Sequence, residues 1–430
     1  MTRRHGGESQ SFLLAGGSWP AAAAVVALAV AAGAVLPRLE VDHRWSVGFS
    51  YDAATAQAML AAIAGGMITL TGFVLAAVTL MVQTIQNQSP RLLRVFPHAR
   101  STPVLFGVFT GTFVYALAVL SDVHPGRVPT LSAAIAIVLL LVSTGLFLRL
   151  LLVFRSTLTT GGLTRNVGAA TMAAVDRHFT LPFEPTAMPD PADVGDARAV
   201  AIRWTLRHQG EPGHLQDLDE QRLIAAAVAT DGLISIVPAI GDFVADGAPL
   251  ATGTSIKDPP DDLARTLTVR PARTLDRDIG YGLRLLADIS IRALSPAVND
   301  PTSAVQALNQ TDNLLRHIAA RSLGDGRLAD ADGNTRVVYP APTWEALLAL
   351  ALDETMQYGA SSLQVARRLR ALLSDLLEVT PDQRRAPVQS RLDALDRAVA
   401  GAFPDVGRRE ALQPDRQGLG SPDRTSSIRS

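Results

Sequence analysis

Between Arg273 and Thr302 the chain gathers side chains able to do chemistry. Asp278, Asp288 and Asp300 bring carboxylates, Arg273 a guanidinium, and Ser295 and Asn299 a hydroxyl and an amide. Carboxylates sharing one cleft can move protons as general acid and base. An arginine beside an asparagine and a helix N-terminus can instead hold an anion. Spacing decides how these groups are positioned. Ile279–Leu294 carries a helical stripe at Ile279, Leu283, Leu286, Ser290 and Leu294, with Arg284, Asp288 and Arg292 as an i,i+4 ladder on one face. Ser295-Pro296 ends that helix, and Asp300-Pro301 gives the next one an N-cap and an N1 proline. Two readings follow. One is a capped helix–turn–helix. The other is a polar pocket for a small anionic ligand, where Arg273, Asn299 and the second helix's N-terminus converge.

The rest of the chain narrows the chemistry. There is no Cys, which excludes disulfides, thiolate metal sites and thiol nucleophiles. His208 and His214 are the closest histidine pair, and their spacing fits no helical metal site. No GxSxG, HExxH, Walker or Rossmann signature occurs, so the chain reads as a non-enzyme without cofactor or metal. Asp and Glu number 40 against 39 Lys and Arg, and no basic stripe points to nucleic acid.

Hydropathy identifies the setting. Hydrophobic residues make up 48% of the chain and are concentrated towards the N-terminus in four apolar runs. These are Ala21–Leu36, Ala58–Val82, Pro103–Leu120 and Leu131–Phe154. The first follows Arg3 and Arg4 like a secretory leader, but its n-region is too long, so it reads as a retained span. Arg3, Arg4, Arg91, Arg94, Arg100, Arg155 and Arg165 fall on one side, against Arg38, Arg44 and Arg127 on the other. The positive-inside rule then puts both termini in the cytoplasm. The span centres carry no charge, which argues against a proton-coupled transporter.

Two spans carry small and polar residues. Span two holds Gly65, Gly66, Thr69, Gly72, Thr79 and Gln83, and span three holds Gly107 and Gly111 in GxxxG spacing. Such faces pack closely against neighbouring helices or line a wet pore. Close packing predicts that Leu at Gly66 or Gly72 lowers stability.

The expected architecture is a tail (1–18), a four-helix membrane domain (19–155), a cytoplasmic α+β domain (156–340), a C-terminal helical segment (341–403) and a disordered tail (404–430). Thr164–His178 reads as an amphipathic helix along the membrane, and Thr180–Asp196 as a linker. Ala199–Leu206, His214–Leu218, Leu233–Pro238 and Phe243–Leu250 read as strands, and Asp219–Ala229 as a helix capped by Asp219. Gly241–Leu250 looks like a hairpin of the type found in lipoyl and biotinyl carriers, without the lysine such carriers modify. Thr343–Phe403 reads as three helices broken at Tyr358–Ser361 and Thr380–Pro381.

Several stretches together resemble a known family. They are Gln88-Ser-Pro-Arg-Leu-Leu93, Phe106-Gly-Val-Phe-Thr-Gly-Thr-Phe-Val-Tyr115, Gly241-Asp-Phe-Val244, Gly247 with Pro249-Leu250, and Ala293-Leu-Ser-Pro296 followed by Asn299-Asp-Pro301. The combination is similar to the bacterial predicted membrane proteins of domain of unknown function 2254. The chain departs from that pattern at Ala297-Val298, where Gly-Ile is expected, and at His214, where an aromatic residue is expected. The resemblance implies a multi-span plasma-membrane protein and no particular activity. The leading expectation is a membrane scaffold or sensor whose cytoplasmic domain binds a ligand or protein partner. The alternative is a homo-oligomeric channel for ions or small solutes lined by span two, with an enzyme behind both. The lipid bilayer is the surrounding partner in every case.

Overall fold

The computed structural model describes residues 19–43, 52–88, 102–125, 128–158, 161–184, 202–256, 258–260, 262–403 and 413–416. Arg3, Arg4, Arg44, Arg91, Arg94, Arg100 and Arg127, most of the Thr180–Asp196 segment and most of the Gln88–Leu93 motif lie outside the described residues. The chain divides into two compact units, Met1–Thr159 and Thr160–Ser430.

The first unit holds four helices: α1 (Trp19–His43), α2 (Ala53–Gln88), α3 (Thr102–Ser121) and α4 (Thr130–Leu158). Their apolar stretches run 22, 34, 19 and 26 residues, each long enough to cross a bilayer. The chain is a membrane protein with four spanning helices. The first apolar run stops at Leu36, but the helix does not. It passes through Pro37 and continues to His43, which brings Glu40 into its last turns. At about 1.5 Å per residue, the 36 residues of α2 make it the longest of the four.

α1 and α3 pack almost backbone to backbone. A Cβ on Gly107 would fall 2.9 Å from the Ala22 backbone, one on Gly111 would meet Ala29 at 3.3 Å, and one on Gly33 would fall 2.7 Å from the Ala118 methyl. Only glycine permits such an approach, so the GxxxG of span three is a packing face. Span two differs. A Cβ added at Gly65, Gly66 or Gly72 would meet nothing within 4 Å, so these glycines face away from the chain's own bundle. What α2 buries there is Leu60, Met67, Val74 and Met81, one residue every seven.

Among its described residues the second unit combines two sheets with seven α-helices. Its elements are α5 (Gly162–His178), β1 (Trp204–Arg207), β2 (Gly213–Leu218), α6 (Glu220–Thr230), β3 (Ile234–Ile236), β4 (Phe243–Val244), β5 (Pro249–Gly253) and β6 (Leu267–Arg270). Then come α7 (Ile279–Ala293), α8 (Pro301–Ala319), β7 (Arg327–Ala329), β8 (Thr335–Val338), α9 (Trp344–Gly359), α10 (Leu363–Val379) and α11 (Asp382–Ala402). One sheet has the order β1-β5-β3-β8-β7, the other β4-β2-β6, and only β3–β8 is parallel. The alternating inward residues Leu215, Ile234, Ile236, Val244, Leu250 and Val337 share one core with Leu223 of α6.

Three expectations change here. Phe243–Leu250 is not one strand: β4 joins the three-stranded sheet and β5 the five-stranded one, with Gly247 (φ 76°) turning between them. β3 therefore pairs with β5 and β8 and not with β4, and the carrier-type hairpin does not form. α5 buries Leu163, Val167, Thr171, Ala174 and Val175, packing on α7 and α8 instead of presenting that face to a membrane. Gly282 of α7 makes this possible, because a Cβ there would overlap the Thr171 side chain. The three C-terminal helices belong to the same compact unit, with α9 packed on α7 and α10 on α8.

Candidate functional site

The polar residues of the 273–301 segment are distributed along α7. At its N-terminus Asp278 is the N-cap, with Oδ1 accepting the Tyr281 N–H at 2.8 Å. Its Oδ2 accepts from Arg273 Nε (2.9 Å) and Nη2 (2.7 Å), and the guanidinium lies 4.9 Å from the Tyr281 ring centre. The Asp278 side chain is only 9% exposed. Burial pushes its carboxyl above the ordinary range, against the pull of Arg273. Gly241 (φ 92°) lies against this pair, and a Cβ would overlap Asp278 and fall 2.6 Å from Arg273 Nη2. Its carbonyl faces His214 Nδ1 at 3.0 Å. The glycine therefore serves both the turn and the close approach.

In the middle of α7, Arg284 bonds Asp288 at 2.7 Å and also Glu354 of α9. The ladder stops there, since Arg292 has no ion pair among the described residues. At the C-terminal end, the Asn299 N–H donates to Ser295 O (2.9 Å) and the Asp300 N–H to Ala293 O (2.7 Å). Asp300 caps α8, accepting from the Ser303 N–H at 3.1 Å, with Pro301 in the first turn. Asn299 has φ 47°, the left-handed region that asparagine tolerates better than most residues.

These observations correct the convergent pocket. The 15 residues of α7 separate Arg273 and Asp278 from Ser295, Asn299 and Asp300 by about 22 Å. Asp288 points to a third environment, and the three carboxylates each have their own local partners. Among the described residues no group of three His, Asp or Glu side chains could hold a metal. A concavity does lie near the Gly241 turn: Val237, Pro238, Asp242, Phe243, Val244, Ala248 and Pro249 line an open depression of about 450 Å³. Phe243 is 64% exposed there and meets His214 edge-on at 5.6 Å.

The membrane unit offers a different surface. Ala58, Ala62, Gly65, Thr69, Gly72, Ala76, Thr79 and Gln83 of α2 recur at alternating steps of four and three, and all are exposed. This seam lies opposite the Leu60–Met67–Val74–Met81 face. Ile68 and Leu75 border it on one side, Phe73 and Leu80 on the other, all exposed. α2 carries no charged residue. Thr69 and Thr79 donate their hydroxyl protons to Gly65 O and Leu75 O, both at 2.9 Å, so they turn oxygen lone pairs outward. The exposed face of α4 is bulkier, with Val138, Leu141, Val142, Leu148 and Leu152 around the small residue Gly145 and with Arg149 towards the helix end.

Glu40 and Arg384 are among the buried charges that sequence reasoning missed. Glu40, 3% exposed, caps α4: Oε1 accepts from the Leu131 N–H (2.6 Å) and Thr130 Oγ1 (3.1 Å), and Oε2 from the N–H and hydroxyl of Ser132 (both 3.0 Å). Thr130 and Ser132, opening an apolar run, were the available signal. Arg384 of α11 donates to Ala319 O (3.0 Å) and Arg321 O (2.8 Å) at the end of α8, with Phe183 stacked 3.9 Å from its guanidinium.

Comparison with known proteins agrees with this architecture. A family model described as predicted membrane protein (DUF2254) matches residues 16–375. The chain is also similar to uncharacterized proteins Mb1321c of Mycobacterium bovis and Rv1290c of Mycobacterium tuberculosis. It is 28% identical to each over 414 residues, spanning 92% of this chain and 78% of each relative. No solved structure matches it significantly. With four apolar spans in place and most of its length matched, the chain belongs to the DUF2254 family of predicted membrane proteins.

Proposed function

We propose that the protein is a homo-oligomer in the bacterial plasma membrane, assembled through α2, with a narrow uncharged path for small solutes or ions along that helix. The observation that carries this reading is the outward seam of α2. A lipid-facing surface has no need of Gly, Ala, Thr and Gln at a heptad-like spacing, whereas a facing helix does. The opposite face of the same helix is already buried in its own bundle, so α2 is patterned for burial on two sides. The outward oxygens of Thr69 and Thr79 suit water and hydrated cations. The arginine distribution of the loops supports a cytoplasmic location for both termini and the second unit.

The cysteine-free chain allows a direct test. Thr69→Cys and Thr79→Cys variants are reconstituted in liposomes, and monovalent-cation flux is measured before and after a membrane-impermeant thiol reagent. Block at these positions, with none at Leu148→Cys, is expected. Flux insensitive to modification at every seam position, or no flux from the assembled protein, contradicts a path along α2.

A second reading, a scaffold that binds a partner through its second unit, is favoured by the exposed Phe243 depression. Phe243→Ser would abolish partner capture without altering flux.

A further inference from the structure

Near its C-terminus the chain returns to the helices. The Asp415 N–H donates to Arg367 O of α10 at 3.3 Å. Arg416 forks onto Asp375 of α10, Nε to Oδ2 at 2.8 Å and Nη2 to Oδ1. Asp375 also receives Arg316 Nη2 of α8 at 3.0 Å. Arg316 Nε holds Asp312 at 2.7 Å, and Asp312 holds Arg368 at 2.7 Å, whose Nε reaches Asn309 at 2.6 Å. The result is a ladder of alternating charge, Arg368–Asp312–Arg316–Asp375–Arg416, that runs from interior to surface. The two end guanidiniums differ most, with 5% side-chain exposure at Arg368 and 66% at Arg416, while Asp375 between Arg316 and Arg416 is only 10% exposed.

The two ends of this ladder have different physical character. Arg368 is itself buried and also bonds Asn309, so it cannot leave without stranding a buried guanidinium, and the inner pair is permanent. Releasing Arg416 strands nothing, because Asp375 keeps Arg316 and the exposed Arg416 guanidinium returns to water. We propose that the Asp375 end is a guanidinium-binding slot that holds the chain's own C-terminal segment, Gln413–Arg416, reversibly through Arg416. The planar fork of arginine fits both oxygens of Asp375, which a lysine ammonium would not do. The exposed side of the pair makes docking sensitive to salt. Release uncovers Asp375 and the Arg367 carbonyl as an acceptor surface. This device is independent of assembly through α2.

The test uses the full-length protein in detergent with a nitroxide on Gln413→Cys. At low salt the label should show a slow component. Arg416→Gln should shift the docked-to-free ratio by about two- to fivefold towards free, and Arg416→Lys by less. Salt at about 1 M, where the screening length is about 3 Å, should act like Arg416→Gln. An excess of the peptide Gln-Pro-Asp-Arg should free the label in the unmodified chain. Asp375→Asn should match Arg416→Gln, and an unchanged melting temperature for Arg416→Gln separates release from unfolding. A label equally immobile in Arg416→Gln, indifferent to the peptide, or already free at low salt in the parent chain would overturn the proposal.

Discussion

Glu40 and Ser132, 92 positions apart, are joined twice: the serine gives both its N–H and its hydroxyl to one carboxylate oxygen, each at 3.0 Å. The other oxygen takes Leu131 and Thr130. Four donors converge on a group that would otherwise be a buried charge at a membrane helix end, and the helix dipole of α4 adds to the attraction. Glu40→Gln replaces one acceptor oxygen with a donor that faces other donors. A loss of roughly 2–4 kcal/mol is expected, the order of one or two unsatisfied buried groups. Thermal unfolding of the detergent-solubilised chain measures it, and a melting temperature equal to the parent's would show that the cap contributes nothing.

Asn299 and Asp300 separate capping from ligand binding. Asn299→Gly should be nearly neutral, and Asn299→Ala should cost about 1–2 kcal/mol because alanine resists the left-handed region. Asp300→Ala should cost about 0.5–2 kcal/mol, and Asp300→Asn much less. A ligand site would reverse this order, with Asn299→Gly as damaging to function as any other change. Denaturant titration together with the flux assay distinguishes the two patterns.

Arg384 holds the C-terminal end of α8 without a carboxylate partner among the described residues, and burial pulls its pKa below the ordinary value. Arg384→Leu fills part of the space but strips the donors from the Ala319 and Arg321 carbonyls. Destabilisation of roughly 2–4 kcal/mol is expected, by the cost of leaving buried acceptors unpaired. Hydrogen exchange should report it first in the last turn of α8. Exchange unchanged there would mean that water replaces the arginine without loss.

His178 supplies a pH dependence. Burial, then the nearby Arg277 charge, lowers its pKa below the ordinary 6.5. The unfolded chain therefore takes up this proton at higher pH than the folded one. Its contribution is fully present above about pH 6.5 and is lost as pH falls through the window down to the folded value. His178→Gln should flatten the fall in stability between pH 7 and pH 5 at about the ordinary histidine range. The same slope in variant and parent would assign the effect elsewhere.

The local signals were legible in the sequence. Asp219 and Asp300 cap their helices with their side chains as their positions predict, and the breaks between α9, α10 and α11 fall where Gly359 and Pro381 stand. The cap at Asp278 is harder to see, because its helix start lacks a proline or a serine to mark it and an aspartate there fits a polar pocket equally well. What stayed hidden depends on distant partners or backbone angle. Glu40 meets residues on another helix, the role of Asn299 is a φ value, and β4 and β5 enter different sheets though only four residues separate them. The direction of the span-two glycines was recoverable in principle. Leu60, Met67, Val74 and Met81 at seven-residue spacing mark the inward face, and a period count would have placed Gly65 and Gly72 opposite.

Assembly through α2 is tested most directly by disulfide cross-linking in native membranes. Single cysteines placed in turn from Ala58 to Gln83 are oxidised, with Leu141→Cys and Leu148→Cys on α4 as lipid-facing comparisons. Cross-linked dimers should peak at Gly65, Thr69, Gly72, Ala76 and Thr79, with minima at Met67 and Val74 and none on α4. Cross-linking absent along the whole of α2, or as strong at Leu141 and Leu148 as at Gly72, would contradict a second copy on this face.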